Sequence, residues 1–292
     1  MRITQSEMFR NFSSDLETLN ETYGKVSRQV SSGKKLTQLQ DDPGSSAELL
    51  SLSDQSSDND VYQSNANTIS YYLGTADSAL SNVNNLVTSI YSDGSQAASD
   101  SMSSDARASL ATEIRSLRDQ ILSLANTQAN GRYIFAGSDV TTAPFQINGD
   151  SVSYGGDSEV NTVSVDQETE VQSGVPGSQA FNSIFSSIES LLSAVDSNDV
   201  SGIGTALSQF SSAFSALGLA RGTIGSNMTL LQNVQAQLQV ESTSITTQQS
   251  NLQDADMAQA TVQMSQAQTA LEAAMAAGGS ILQQKNLFDI LG

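Results

Sequence analysis

The chain contains no cysteine, no histidine, no tryptophan and only three prolines in 292 residues. Without cysteine there can be no disulfide scaffold, no thiolate nucleophile and no Cys-ligated metal. Without histidine the commonest general base, the commonest metal ligand and the usual switch near neutral pH are all missing. Charge of either sign is sparse, and positive charge is sparser: 12 Lys and Arg stand against 31 Asp and Glu, a net of -19. That sign argues against nucleic acid or an anionic membrane as partner, because phosphate binding needs clustered Lys and Arg. No stretch approaches the roughly 18 apolar residues that span a bilayer. The opening "MRITQSEMFRNFSSDLETL" lacks the continuous apolar core of a secretory signal. The sequence therefore predicts a soluble chain with no membrane insertion, not exported by the general secretory route.

Catalytic signatures are missing too. There is no G-x-S-x-G, no Walker loop and no dinucleotide fingerprint. "ARGTIG" at 220–225 has its glycines at the wrong spacing and is expected to mark a turn into a long helix. Counted from Asp196, "VDSNDVSG" places Ser201 where a calcium loop needs glycine, and no Glu follows at the twelfth position. It is expected to be a helix–helix turn. The acid pairs Asp41 with Asp42 and Asp254 with Asp256 suit helix caps. Arg107, Arg115 and Arg118 are expected to pair with acids inside the chain. No catalytic residue, metal site or cofactor is expected, and the chain is predicted not to be an enzyme.

What the sequence does hold is helical periodicity. Phe9, Phe12, Leu16, Leu19, Tyr23, Val26 and Val30 alternate spacings of three and four, a coiled-coil seam. "SSGKK" stops it, with Gly33 as C-cap, and Asp41 or Asp42 with Pro43 starts the next helix. That helix is expected to end at "SDGSQ", and a third to cover roughly 104–130. From Gly131 to about Pro176 the period shortens. "RYIFAG" alternates, Asn148-Gly149 signals a hairpin, and "EVNTVSVDQETEV" fits one or two strands. Helices resume at Phe181 as a short pair, and a long helix follows from about Ile224. Its seam of Ile224, Leu231, Leu238, Ile245 and Leu252 repeats every seven residues. After "NLQDADMA" a last helix carries Met257, Met264 and Leu271 with alanines between them.

The fold class expected is mainly α: an elongated helical bundle, its N- and C-terminal coiled-coil helices paired, with a small inserted β-rich domain. The expected divisions are a terminal coiled-coil polymerisation domain of 1–42 and 254–292, a helical rod of 43–130 and 179–253, and a β-rich outer domain of 131–178.

The two ends are chemically unusual. From Met257 onward the charged residues are Glu272, Lys285 and Asp289 alone, while the first forty residues carry a net of +2 and the remainder -21. Uncharged Gln, Ser, Thr and Ala solvate a helix poorly and stack well against neighbours. Helices with narrow seams are stabilised mainly by packing. The ends are therefore expected to complete their order when copies assemble. The expected assembly interface is Phe9, Phe12, Leu16, Leu19, Tyr23 and Val26 with Met264, Leu271, Leu287 and Leu291.

Five short motifs, in this order, carry a resemblance. They are "MRIT" at the start, "SSGKKL…DDP" near position 40, "NGRYIFAG" at 130–137, "DADMAQA" at 254–260 and "LFDIL" at the end. Together they resemble the flagellin-related family of bacterial flagellar hook–filament junction proteins. Singly the motifs are weak; their order and placement are specific. Leu39 and Gln40 stand where that family often has Pro-Ser. The resemblance implies a structural adaptor joining the hook, through a preceding hook-associated junction protein, to the flagellin filament. It implies a homo-oligomer in a helical or ring array, type III export with an export chaperone, and an extracellular place on the flagellum. Flagellin itself is the second reading, and a type III-secreted adhesin or translocator the third.

Overall fold

The computed structural model describes residues 5–38 and 40–283. Among them are six helices: α1 (Gln5–Ser32), α2 (Pro43–Ala97), α3 (Ser104–Ala125), α4 (Gly177–Asp196), α5 (Val200–Gln253) and α6 (Met257–Gln283). Six short strands lie between α3 and α4: β1 (Gln128–Ala129), β2 (Arg132–Tyr133), β3 (Phe145–Asn148), β4 (Ser151–Tyr154), β5 (Thr162–Ser164) and β6 (Glu170–Gln172). They form three separate antiparallel pairs, β1 with β2, β3 with β4 and β5 with β6. The fold is mainly α with a small β-rich segment, as the periodicity predicts.

Serine- and threonine-rich helices need an explanation, since these side chains compete for backbone hydrogen bonds. Here the competition is resolved locally. Thr18, Thr22, Thr68, Thr75, Thr88, Thr112, Thr229 and Thr246, among others, donate their hydroxyls to the carbonyl four residues earlier. Asp42 rather than Asp41 caps α2, accepting from the backbone N–H of Gly44 at 3.1 Å and of Ser45 at 3.2 Å. Asp256 caps α6 in the same way through Ala258 and Gln259. Gly33 ends α1 at a φ of 71°, the left-handed position that glycine adopts at little cost.

The chain divides into two compact units, Met1–Asp58 with Glu241–Gly292, and Asn59–Val240. The second holds the continuous core. Ile69, Leu73, Leu80 and Ile90 of α2, Ile114 and Ile121 of α3, Ile184, Ile188 and Leu191 of α4, and Phe210 of α5 are fully buried in it. The β segment joins this core. Phe135, Phe145, Val165 and Val171 belong to it, and the Phe145 ring lies 5.3 Å from Phe181 and 5.4 Å from Phe185. In the first unit Val26, Leu52, Ile245, Ala260 and Ala267 are the buried apolar side chains among the described residues.

The structure differs from the sequence reading at four helix boundaries. α2 continues through "SDGSQ" to Ala97, because Gly94 is a packing residue. A Cβ there would stand 2.8 Å from Leu191 and 2.9 Å from Leu207. α5 is one helix, and "ARGTIG" lies inside it without a turn. Gly222 and Gly225 are surrounded by open space, while Leu217, Ala220 and Ile224 keep the buried stripe continuous. Glycine costs a helix interior only about 1 kcal/mol against alanine, and this packing overrides that cost. α3 ends at Ala125, not near Asn130. Asn130 (φ 52°) and Gly131 (φ 76°) instead form the two-residue loop between β1 and β2, the positive-φ pair that a tight hairpin requires. Helix also resumes earlier than expected, at Gly177.

Candidate assembly interface

The terminal helices pair antiparallel. The backbones of Lys34 and Asp254 pair as an isolated antiparallel β-bridge, Val26 and Ala267 line the same groove, and Phe12 rests on Gly278. The sequence reason lies in complementary seams. On α1 the large side chains recur at three and four. On α6 Ala260, Met264, Ala267, Leu271, Ala274 and Gly278 keep the same spacing, small alternating with large as far as Ala274. Small residues admit the bulky ones opposite, as knobs enter holes. Gly278 is the extreme case, since a Cβ there would overlap the Phe12 ring.

A short backbone clasp fixes the register. Lys35 N–H donates to the Gln253 carbonyl at 2.7 Å, and Ala255 N–H donates to the Gly33 carbonyl at 2.9 Å. Lys35 Nζ donates to the Asn251 carbonyl at 3.1 Å, near the end of α5, where a cation meets the negative end of the helix dipole. Asp41 holds the following loop. Its Oδ2 accepts from the N–H of Thr37 at 3.1 Å and of Gln38 at 3.0 Å, and its Oδ1 lies 3.1 Å from Lys25 Nζ. Burial disfavours the charged carboxylate and raises its pKa, but Lys25 and the two amides outweigh burial and hold the carboxyl at about 2, below the ordinary 3.8.

A carboxyl held low in the folded state stabilises above its ordinary titration range and loses that contribution as pH falls toward its folded value. We expect the Asp41 loop to be intact above pH 3.8 and to loosen as pH drops toward 2. The contribution is on the order of 1 kcal/mol, discounted because Lys25 is half exposed. In an NMR titration the Thr37 and Gln38 amides should shift through this window, and in Asp41→Asn they should stay flat.

The expected interface residues fare unevenly within one chain. Val26 is 6% exposed. Phe12, Leu16, Leu19, Tyr23, Met264 and Leu271 are half-buried. Phe9 is 54% exposed, and so is Met275 on α6. Leu287 and Leu291 lie outside the described residues. α1 and α6 are already paired helices in a single chain; what is incomplete is their burial. Between them runs an open groove of about 520 Å³, lined by Thr22, Lys25, Val26 and Gln29 and by Gln263, Gln266, Ala267 and Ala270. Sequence reasoning missed Gly278 and the clasp. The four-residue step from Ala274 to Gly278 was the available signal for the first; the clasp joins backbone atoms and leaves none.

The arginines of α3 are bound internally. Arg115 reaches Asp150 at 2.9 Å and Asp196 at 2.5 Å, and Arg118 reaches Asp150 and Asp119, each at 3.0 Å. Among the described residues Arg107 has no acid partner. It donates to the carbonyls of Ala97 and Ser99, where α2 ends. Elsewhere a cleft of about 180 Å³ opens between α2 and the β segment, its walls including Ile69, Tyr72, Ile134, Val163 and Val175. Arg132 is the one charged residue lining it among the described residues. Among the described residues no cluster of Asp, Glu, His or Cys is placed to hold a metal ion, and no helix is long and apolar enough to cross a membrane.

Comparison with known proteins follows the same two ends. Residues 3–140 match the bacterial flagellin N-terminal helical region, and residues 200–291 match the bacterial flagellin C-terminal helical region. Flagellar hook-associated protein 3 of Salmonella typhimurium is 35% identical over 188 residues, which is 64% of this chain and 58% of that protein. The protein of that name from Escherichia coli is 33% identical over 187 residues, again 64% and 58%. The chain thus spans less than two thirds of the length of these curated relatives. A putative flagellar hook-associated protein from Vibrio parahaemolyticus shares the fold, with a TM-score of 0.68 at 22% identity over 73% of this chain and all of that one. With both helical regions matched and in the family's order, the chain belongs to the bacterial flagellin family.

Proposed function

We propose that the chain is a structural adaptor of the bacterial flagellum, joining the hook to the flagellin filament by assembly and not by catalysis. The observation that carries this is the half-finished pairing of α1 with α6. Two complementary seams meet, yet Phe9 and Met275 stay more than half exposed and a wide groove stays open. Copies packed side by side would cover what one chain leaves bare. The likeness to hook-associated protein 3 supports the junction reading over a filament one. In this reading 1–42 and 254–292 polymerise, 43–130 and 179–253 form the rod, and 131–178 face outward. The interface is Phe9, Phe12, Leu16, Leu19, Tyr23, Val26, Met264, Leu271, Leu287 and Leu291. The partners are further copies, a preceding hook-associated junction protein, flagellin and an export chaperone. The chain reaches the cell exterior through the flagellar type III apparatus.

Leu271→Asp tests it. A carboxylate in the seam opposes burial by several kcal/mol, so assembly and swimming should be abolished while the 59–240 unit keeps its unfolding transition. Normal swimming by this variant would sink the reading. Gold labelling separates the alternatives: a narrow band at the hook tip supports the adaptor, and label along the whole filament supports flagellin.

A further inference from the structure

The face of α1 that points away from α6 carries a charge pattern that the pairing of the ends does not use. Arg10, Glu17, Glu21 and Arg28 are spaced seven, four and seven residues apart, all exposed. At 3.6 residues per turn they fall within about 20° of one line along the helix, roughly opposite the seam of Phe12, Leu16, Leu19, Tyr23 and Val26. Among the described residues none of the four forms an ion pair. The other charges of α1 lie off this line: Glu7, Asp15 and Lys25, the last held by Asp41.

A solvated helix face is ordinarily supported by opposite charges at i and i+4, whereas like charges at that spacing repel. Here Glu17 and Glu21 are that like pair; each arginine stands two turns away, and Lys25, four residues beyond Glu21, is taken up by Asp41. The order plus, minus, minus, plus is self-complementary only when shifted. Shift a parallel copy by seven residues, and Arg10 meets Glu17 while Glu21 meets Arg28. Shift it by eleven, and Arg10 meets Glu21 while Glu17 meets Arg28. With no shift, Arg faces Arg and Glu faces Glu.

We propose that this face of α1 is an ionic docking surface for a second copy of the chain, laid parallel with an axial offset of seven to eleven residues, about 10–17 Å at the helical rise. The proposal rests on the self-assembly argued above and adds which face meets the neighbour and in what stagger. Apolar seams supply burial, and the charges exclude the unshifted arrangement.

The test uses the full-length chain in two charge variants. Glu17→Lys with Glu21→Lys makes the line uniformly positive, and Arg10→Glu with Arg28→Glu makes it uniformly negative. Circular dichroism first checks that each keeps the wild-type helix content. At low salt each variant alone should need about tenfold or more concentration to assemble by sedimentation and light scattering. An equimolar mixture should regain assembly, since opposite lines now face one another, and added salt should weaken wild-type assembly. A variant that assembles as the wild type does would overturn the proposal, as would a mixture that stays unassembled. Closed antiparallel dimers that stop at two copies would overturn the stagger. Should the wild type itself form no multi-copy assembly, the adaptor reading falls and this surface falls with it.

Discussion

Phe181→Ala is expected to lower the stability of the 59–240 unit by about 3–5 kcal/mol. Phe181 is fully buried at the meeting point of α4 with the β segment. Its ring stands edge-on to Phe135 at 4.9 Å and to Phe145 at 5.3 Å, and stacks on Phe185 at 6.2 Å. Truncation removes the transfer free energy of the ring, leaves a cavity bounded by three other rings, and deletes aromatic pairs worth about 0.5–1.5 kcal/mol each beyond their buried area. The surroundings cannot collapse freely. Gly177 N–H is bonded to the Phe135 carbonyl at 2.9 Å, and the Tyr154 hydroxyl donates to the Asp157 carbonyl at 2.7 Å. Urea unfolding followed by circular dichroism should show a lower midpoint with little change in slope. A loss below about 1 kcal/mol would mean that the β segment is not part of the helical core.

The second large effect is expected from Asp150→Ala. Asp150 sits in the β3–β4 turn and receives Arg115 at 2.9 Å and Arg118 at 3.0 Å. Arg118 has only 6% of its side chain exposed. Removing the carboxylate leaves that guanidinium with exposed Asp119 as its one acid partner among the described residues. Stranding one member of a buried pair costs about 3–5 kcal/mol, and the half-exposed Asp150 brings the expectation down to about 2 kcal/mol. pH supplies an independent reading. The Arg115 hydrogen bond first, and then Arg118, hold the Asp150 carboxyl at about 2 against the ordinary 3.8, although burial opposes them. Its contribution is therefore complete above pH 3.8 and is lost as pH falls toward 2. Asp150→Ala should be destabilised near neutrality and should converge on the wild type at about pH 2. A constant difference between the two across that range would rule out this account.

Periodicity was the most legible part of the fold. The seven-residue repeat from Ile224 to Leu252 marks a helix that must keep one face covered, and Ile224, Leu231, Leu238 and Ile245 are all buried. Glycine was the least legible. The same residue ends α1 at Gly33, turns a hairpin at Gly131, packs beneath two leucines at Gly94 and sits harmlessly inside α5 at Gly222. Local propensity cannot separate these cases, because what decides each is the neighbour that tertiary packing brings. The α1 seam could be read from spacing. Its partner on α6 was harder, since alanine and glycine carry little hydrophobic signal and matter by the room they leave. The convergence of Arg115 and Arg118 on Asp150 joins residues 35 and 32 positions apart, beyond the reach of any helical or strand period.

The clasp between the two ends sets an order of events. Lys35 and Asn251 are 216 positions apart, and closing so long a loop is an entropic expense that nearby contacts do not bear. The interior, with its own core between 59 and 240, can condense while the ends are still unpaired. Under the export route proposed above, a chain delivered as a thread would be able to finish the 59–240 body before its two ends join. Under the assembly proposed above, neighbouring molecules would compete for those ends in the interval before they meet.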